Sequence, residues 1–324
     1  MKIAVTGASG HVGANLCRML LEQGYEVKAL IHNSIKGLEN LDLEYVNGDV
    51  TSEADLRKLC KDCSIVFHLA ALISIRKSDE RCHMVNVDSC IKLLRAAKEE
   101  GVRRIIHFSS IHAFNHTPLD EVLDEKRDLM LKSNVSYNCS KALGQKIMIE
   151  NSSPELETVV LNPTAVIGPN DFKPSLLGNA VLRFYRGQNP SLVPGGYDWV
   201  DVRDVCSAAI NAIGNGVPGE CYLLGGSWQS LKTMADTVEK LGGHKAPWLS
   251  LPGWIAYIGA AFLNLHASLT GSIPLYTAMS LETLKDSHRN ISHLKASKTL
   301  NFKPRPFEET MADTIQWFKE NNYI

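Results

Sequence analysis

An α/β chain built on a doubly wound parallel sheet is predicted by three observations. Short β-branched runs alternate with amphipathic helical stretches through the first half of the sequence, a glycine-rich turn follows the first run, and the alternation breaks after residue 168. Residues 2–5, 26–32, 43–47, 64–70, 104–108 and 158–161 read as strands, each a short apolar or alternating run bounded by turn residues. Between them, 12–23, 53–61, 86–99 and 136–150 carry apolar faces of 3.6-residue period. In the third of these helices Val87, Ile91, Leu94, Ala97 and Lys98 trace the turns, and Gly101 provides the stop. Such alternation covers a parallel sheet with helices on both faces, the Rossmann arrangement that binds dinucleotides.

Beyond Gly168-Pro169-Asn170-Asp171 the pattern changes. Residues 171–196 read as loop and helix, and 199–202 and 220–224 as further strands around a helix that Asp204 is expected to cap. From Ser230 onward the chain reads as mostly helical, with proline-rich joints. The expected division is a dinucleotide-binding domain over 1–170 and a smaller, mostly helical substrate-binding domain over 171–324. The strands near 199 and 220 remain free to rejoin the main sheet. No charged side chain occurs between Lys245 and Glu282, and Trp254, Ile258, Phe262, Leu265 and Leu269 recur there at helical spacing. Asn264, His266, Ser268 and Thr270 interrupt this stretch before the roughly 20 apolar residues that a membrane span needs. A buried helix is the first reading, a greasy lid over an apolar substrate the second, and an interfacial helix the third.

A chain of 324 residues with a formal net charge of −1 can bury a large core and shows no electrostatic footprint for nucleic acid. The strand-like start at Lys2 leaves no room for a signal peptide. Eight cysteines without a tight framework suggest free thiols in a reduced compartment, so a cytoplasmic protein is expected. Cys60 and Cys63 have redox or zinc spacing, but no second pair accompanies them, and they read as buried apolar residues at a helix end and a strand start. No metal site is expected.

Gly7, Gly10 and Gly13 form a GxxGxxG between a strand and a helix. Glycine permits the left-handed turn and lets backbone N–H groups approach a pyrophosphate, whose charge the helix N-terminus favours. A strand-to-helix turn without a ligand is the competing reading. Choice of nucleotide is made at the end of the second strand, where a carboxylate would bind the ribose 2′-hydroxyl of NAD. That strand ends Ile31-His32-Asn33 with no acid, and Lys36 follows, which leans toward the 2′-phosphate of NADP; NAD stays open. Tyr137 and Lys141 stand at i and i+4 on one helix, so they share a face. A nearby ammonium stabilises a phenolate and is expected to draw the tyrosine from about 10 toward neutrality, where proton transfer works best. Ser109 and Ser110 end the 104–108 strand at the carboxyl edge of the sheet, where a hydroxyl can donate to a carbonyl oxygen or cap the next element.

Taken together, the chain resembles the extended branch of the short-chain dehydrogenase/reductase superfamily, the NAD-dependent epimerase/dehydratase group. The markers are Thr6-Gly7-Ala8-Ser9-Gly10-His11-Val12-Gly13, Gly48-Asp49-Val50, Phe67-His68-Leu69-Ala70-Ala71, Asn86-Val87, Phe108-Ser109-Ser110, Tyr137 with Lys141, and the run from Asn162-Pro163-Thr164 to Pro169. The resemblance implies that Gly7, Gly10, His11, Val12 and Gly13 hold the pyrophosphate. It implies that Asp49 and Val50 hold the adenine and that Ala70 and Ala71 line the cofactor. Tyr137 would be the acid–base, Lys141 would bind the nicotinamide ribose, Ser110 would be the catalytic hydroxyl, and Pro163 would sit near the nicotinamide. Asn162-Pro163-Thr164, Asp171 to Ser175, Trp199 to Asp204, and Leu251-Pro252 with Ile255 are similar to the dihydroflavonol-reductase-like group, which includes 3β-hydroxysteroid-dehydrogenase-like and hopanoid-associated members. Two departures stand out. Ile111-His112 replaces the acidic pair of sugar dehydratases, and His32 replaces an arginine common in NADP-using relatives.

The leading expectation is an NADP(H)-dependent carbonyl reductase or alcohol dehydrogenase acting on a small, largely apolar cyclic substrate. Phe184, Tyr185, Tyr197, Trp199 and the uncharged 247–281 stretch are pocket candidates that would serve equally as core. His112 is a further pocket candidate, set against a plain strand-end histidine. An NAD-dependent sugar epimerase is the alternative and would need Arg183, Arg186, Arg203 or Arg289 for phosphates. A non-catalytic NADP(H) sensor is the third. A homodimer through the helices starting near Asn86 and Ser136 is within the expectation of the family.

Overall fold

The computed structural model describes residues 1–74, 79–252, 255, 284 and 287–324. Strand β1 (Lys2–Thr6) leads into helix α1 (His11–Glu22), β2 (Glu26–Ile31), β3 (Leu43–Asn47), α2 (Glu53–Cys60) and β4 (Ile65–His68). A short helix α3 (Glu80–His83) and a π-helical turn (Met84–Asp88) precede α4 (Ser89–Glu99) and β5 (Arg104–Phe108). A 3₁₀ turn (Ile111–Ala113) and α5 (Ser136–Glu150) then lead to β6 (Glu157–Pro163). Strands β1 to β6, with the later β9 (Cys221–Leu224), form one seven-stranded parallel sheet in the order β3-β2-β1-β4-β5-β6-β9. The fold is the doubly wound dinucleotide-binding one that the alternation predicts.

Each inner strand sends alternate side chains to opposite faces, and both faces are covered. Ile3, Val5, Ile65, Phe67, Ile106, Phe108, Val159 and Leu161 pack on one side against Leu16 and Leu20 of α1. Val205 and Ala209 of α7 (Val202–Asn215) complete that layer. Ala4, Val66, Ile105 and Val160 point the other way, onto Leu56, Leu59, Leu93, Ala142 and Met148 from α2, α4 and α5. Two-sided burial explains why these strands read as continuous apolar runs, since each such side chain contributes about 1.5–3 kcal/mol.

The remaining elements are β7 (Ala165–Ile167), α6 (Leu176–Tyr185), β8 (Gly196–Asp201), β10 (Ser227–Ser230), α8 (Leu231–Lys240), α9 (Leu294–Leu300) and α10 (Phe307–Glu320). The strand near 199 stays out of the main sheet and forms a three-stranded sheet in the order β10-β8-β7, whereas the strand near 220 joins the main sheet beside β6. Trp199, Leu182, Met234, Phe307 and Phe318 close a third core around the small sheet.

Three local expectations are corrected. The helix expected over 86–99 is broken by the π-helical turn, because the Asn86 side chain is pulled out to bind other segments. Val202 opens a helix rather than closing a strand, and Asp201, not Asp204, caps that helix by accepting from Arg203 N. Asp204 instead accepts from Arg305 N at 2.8 Å and faces its guanidinium at 2.9 Å. Leu69 and Ala70 leave the strand expected over 64–70, because their N–H groups donate to Thr6 Oγ1. Cys60 and Cys63 are buried free thiols at the end of α2 and before β4. The uncharged stretch lies outside the described residues apart from 247–252 and Ile255. No helix among the described residues is long and apolar enough to cross a membrane.

Candidate active site

The glycine turn is built by close approach. Gly7 has φ +68°, and a Cβ there would lie 2.7 Å from Ala70 N. A Cβ at Gly13 would lie 2.2 Å from the Gly7 carbonyl oxygen, so side chains are excluded at both positions. Gly10 caps α1 with no side-chain bond, and the first turn of α1 carries no acidic residue, so its N–H groups are left for an anion. His11 Nε2 donates to the Pro169 carbonyl at 3.0 Å and the Val12 side chain packs against the core, so both face this end of the sheet through their backbone. A cradle that a Cβ would fill, at a helix N-terminus beside a parallel strand, fits a dinucleotide pyrophosphate. Ala70 lies against this turn, and Ala71 follows it exposed.

At the end of β2 a cleft of about 630 Å³ is lined by Ile31, His32, Asn33, Ser34, Ile35, Lys36, Glu39 and Asn47. The Glu39 carboxylate in this lining accepts from Gly37 N at 2.5 Å. Lys36 Nζ lies 5.7 Å above the Tyr323 ring, and the Tyr323 hydroxyl donates to the Phe172 carbonyl at 2.6 Å. The C-terminal residues therefore fold back onto this cleft. His32 Nε2 lies 3.3 Å from Asp49, whose other oxygen accepts from Thr51 N and Oγ1 at 2.7 Å each. The Thr51 bonds, ahead of His32, hold the Asp49 carboxyl below its usual range. Val50 packs against the core beneath.

Ser110, Tyr137 and Lys141 are brought together by the crossing of α5 over the end of β5. The Ser110 hydroxyl lies beside Tyr137, and Ser110 Oγ accepts from His112 N at 3.2 Å. Lys141 is buried and its Nζ donates to the Phe108 carbonyl at 2.6 Å. Ser109 Oγ turns instead to the Lys141 carbonyl. The expected fall of the tyrosine pKa is not produced by the protein groups: burial pushes Tyr137 up to about 12, and Ser110 is the group that favours its phenolate. Burial likewise pulls Lys141 down to about 8.

Sequence reasoning missed the residues that hold this triad in place. Tyr137, Lys141 and Gln145 share one face of α5, and Gln145 Oε1 accepts from Asn162 Nδ2 at 2.6 Å. Asn162 also donates to the Ser110 carbonyl at 2.9 Å, tying β6 to the turn after β5. Asn86 accepts from Leu72 N and donates to the Leu72 carbonyl and Ser140 Oγ, clamping the segment after β4 onto α5. A Cβ at Gly144 would lie 2.6 Å from the Asn86 carbonyl oxygen, so α5 approaches this turn closely. Asn162-Pro163 and Asn86-Val87 were visible as family markers, but their partners lie 52 and 14 residues away in the sequence. Pro163 ends β6, buried and paired with Leu224.

Behind Lys141, His68, Cys90 and His107 place potential ligand atoms within 4.8 Å of one another. Burial, then the Lys141 ammonium, lowers both histidines, His68 to about 3. The same ammonium opposes a second cation there. Thr6 Oγ1 lies 2.8 Å from His68 Nδ1.

Fold and site together define a dinucleotide-binding protein in which Ser110, Tyr137 and Lys141 lie together at the carboxyl edge of the sheet. Residues 3–225 match the NAD dependent epimerase/dehydratase family. Over the whole of both chains the protein is 31% identical to "Sterol demethylase protein B" of Methylococcus capsulatus (strain ATCC 33009 / NCIMB 11132 / Bath). It is 29% identical to a "Putative dihydroflavonol 4-reductase" of Synechocystis sp. (strain ATCC 27184 / PCC 6803 / Kazusa), with 99% of this chain and 95% of that one covered. Among solved structures, gox2253 superposes with a TM-score of 0.85 at 28% identity, covering 100% of this chain and 99% of that one. The chain belongs to the NAD-dependent epimerase/dehydratase family of extended short-chain dehydrogenases/reductases, and it is an NAD(P)-dependent enzyme.

Proposed function

We propose that the protein is an NADP(H)-dependent carbonyl reductase or alcohol dehydrogenase acting on a small, largely apolar cyclic substrate. The observation that carries this reading is that Tyr137 and Lys141 lie one turn apart on α5 at the carboxyl edge of the sheet, with Lys141 Nζ on the Phe108 carbonyl and Ser110 beside Tyr137. The bound nicotinamide supplies or takes a hydride at the substrate carbon. Tyr137 gives a proton to the substrate oxygen in reduction and receives it in oxidation, while Ser110 donates a hydrogen bond to the same oxygen. Lys141 holds the ribose next to the nicotinamide, and Pro163 bounds that side of the site. Gly7, Gly10, His11, Val12 and Gly13 bind the pyrophosphate through backbone N–H groups. Ala70 and Ala71 line the cofactor, and Asp49 and Val50 flank its adenine.

The preference for NADP(H) rests on Lys36 and on the end of β2, where residues 29–33 carry no carboxylate; the Glu39 carboxylate that also lines this cleft is taken by Gly37 N. The two named relatives are a sterol demethylase protein and a dihydroflavonol reductase, both names of ring substrates, and this supports a cyclic, apolar one. An NAD-dependent sugar epimerase fits less well. Arg203 is paired with Asp201 and Asp313, Arg186 with the Tyr323 carbonyl, and Arg289 lies over Trp228, so these guanidiniums serve the fold in separate places. We place the enzyme in the cytoplasm, with α4 and α5 as the faces through which a homodimer would form.

The test is to denature the purified protein, identify any released nucleotide, and then titrate NADH and NADPH. Freely exchanging NADPH is expected; tightly retained NAD would favour the epimerase. Tyr137→Phe should fold and bind NADPH normally while turnover of ketone substrates drops about 10²–10⁴-fold. Near-native turnover by this variant would remove Tyr137 from the mechanism.

A further inference from the structure

The loop after β2 is held in place by residues from the second half of the chain. Residues 31–36 and 39 line the cleft of about 630 Å³, and Lys36 stands exposed among them. Gly37 turns there with φ +87°, and a Cβ on it would lie 2.7 Å from Cδ2 of Phe172. Arg18 of α1 donates to the Gly37 carbonyl at 2.7 Å and lies 4.8 Å over the Phe172 ring. The Phe172 carbonyl in turn accepts from the Tyr323 hydroxyl at 2.6 Å. Tyr323 follows α10, its N–H donating to the Phe318 carbonyl at 2.9 Å and its own carbonyl accepting from Arg186 beyond α6. Its ring stacks on Trp317 with centroids 5.6 Å apart and planes 27° from parallel. These contacts fix the phenol ring, and Lys36 Nζ lies 5.7 Å from the centre of that ring.

The nearby Glu39 carboxylate is engaged by Gly37 N, so the partner recorded for the Lys36 ammonium is a π face. The difference matters for an anion. A lysine that grips a phosphate gives up rotamer freedom, one of the largest such losses of any side chain. A ring beneath the ammonium meets part of that loss before the nucleotide arrives, and unlike a carboxylate it leaves the charge unneutralised. We propose that Tyr323 is a positioning residue for cofactor selectivity, its ring keeping the Lys36 ammonium in the cleft for a nucleotide 2′-phosphate. This rests on the NADP(H) reading above and extends it, since discrimination after β2 then depends on a residue beyond α10.

The experiment measures Kd for NADPH and NADH by fluorescence titration of wild type, Tyr323→Leu, Tyr323→Phe, Lys36→Ala and the Lys36→Ala/Tyr323→Leu double variant. Tyr323→Leu should weaken NADPH about threefold or more and leave NADH unchanged. Tyr323→Phe keeps the ring, so it should keep the NADPH preference and lose only stability in urea, because the Phe172 carbonyl loses its donor. In the Lys36→Ala background Tyr323→Leu should cost no further NADPH affinity, since the two side chains act as a unit. Equal weakening of both nucleotides by Tyr323→Leu, or a further NADPH loss in the Lys36→Ala background, would make Tyr323 merely structural and overturn the proposal. If Tyr323→Leu does not fold, Tyr323→Gln removes the ring, retains a donor, and carries the test by the same ratio. A preference for NADPH lost in Lys36→Ala but kept in Tyr323→Leu overturns this inference alone. A wild-type protein that binds NADPH no tighter than NADH overturns the NADP(H) reading, and this inference with it.

Discussion

A phenol pushed up to about 12 keeps its proton at neutral pH, which suits the proton-donating role proposed for Tyr137 in reduction. On that proposal Tyr137 starts from the protonated form, and the Ser110 hydroxyl is the neighbour that eases the proton's loss. The spacing of Tyr137 and Lys141 was legible in the sequence; the direction of the tyrosine shift was not. Helical periodicity places two side chains on one face, but it does not reveal that the ammonium is spent on the Phe108 carbonyl. At the other end of the site, Lys36 is the charge best placed for a 2′-phosphate. Lys36→Ala is expected to raise the Kd for NADPH about tenfold or more, the worth of a hydrogen bond to a charged group, and to leave NADH unchanged. Fluorescence titration with both nucleotides checks this, and equal losses would show that Lys36 does not read the phosphate.

At the scale of elements, the β1–α1 turn was the most readable part of the chain. Its requirement is local: a positive φ at Gly7 and no Cβ at Gly13. Gly13→Ala would press a methyl into the Gly7 carbonyl, so the turn must open. Nucleotide binding should be lost along with about 2 kcal/mol or more of stability. Gly24 is the control, with φ +79° and open space around it. Gly24→Ala should cost about 1–2 kcal/mol of backbone strain and leave nucleotide affinity alone. Urea unfolding and nucleotide titration on the two variants separate strain from loss of the cradle. The π-helical turn at Met84–Asp88 was invisible by contrast. Val87, Ile91 and Leu94 keep a helical rhythm through it, and what breaks the helix is the pull of Leu72 and Ser140 on Asn86. The exchange of caps between Asp204 and Asp201 has the same origin, since Arg305, a hundred residues on, claims Asp204.

Over the whole molecule, the parallel sheet buries His68 and His107, both held below their usual range by burial first. The folded chain resists their protonation while the unfolded chain accepts it from about pH 6.5 downward, so stability falls as pH falls through that region toward 3. Each histidine contributes a slope of about 1.4 kcal/mol per pH unit there. His107→Phe removes one share. On going from pH 7 to pH 5, the variant should lose about 2 kcal/mol less stability than wild type in urea unfolding. Parallel pH profiles for the two proteins would mean that His107 is solvated in the folded state.

The sequence by itself determined the sheet, its helical cover, the glycine cradle and the placing of Tyr137 and Lys141 on one face of a helix. These follow from periods of 2 and 3.6 residues and from the φ that only glycine adopts freely, all properties of neighbouring residues. Only the tertiary structure decided that Ser109 Oγ turns to the Lys141 carbonyl and that Asn162 and Gln145 hold the turn after β5. It alone sent the strand near 199 into a second sheet, folded Tyr323 back onto the cleft after β2, and set His112 against Tyr137. Those outcomes depend on desolvation and on hydrogen bonds between segments that meet only when the chain is folded, and neither is encoded in the spacing of adjacent residues.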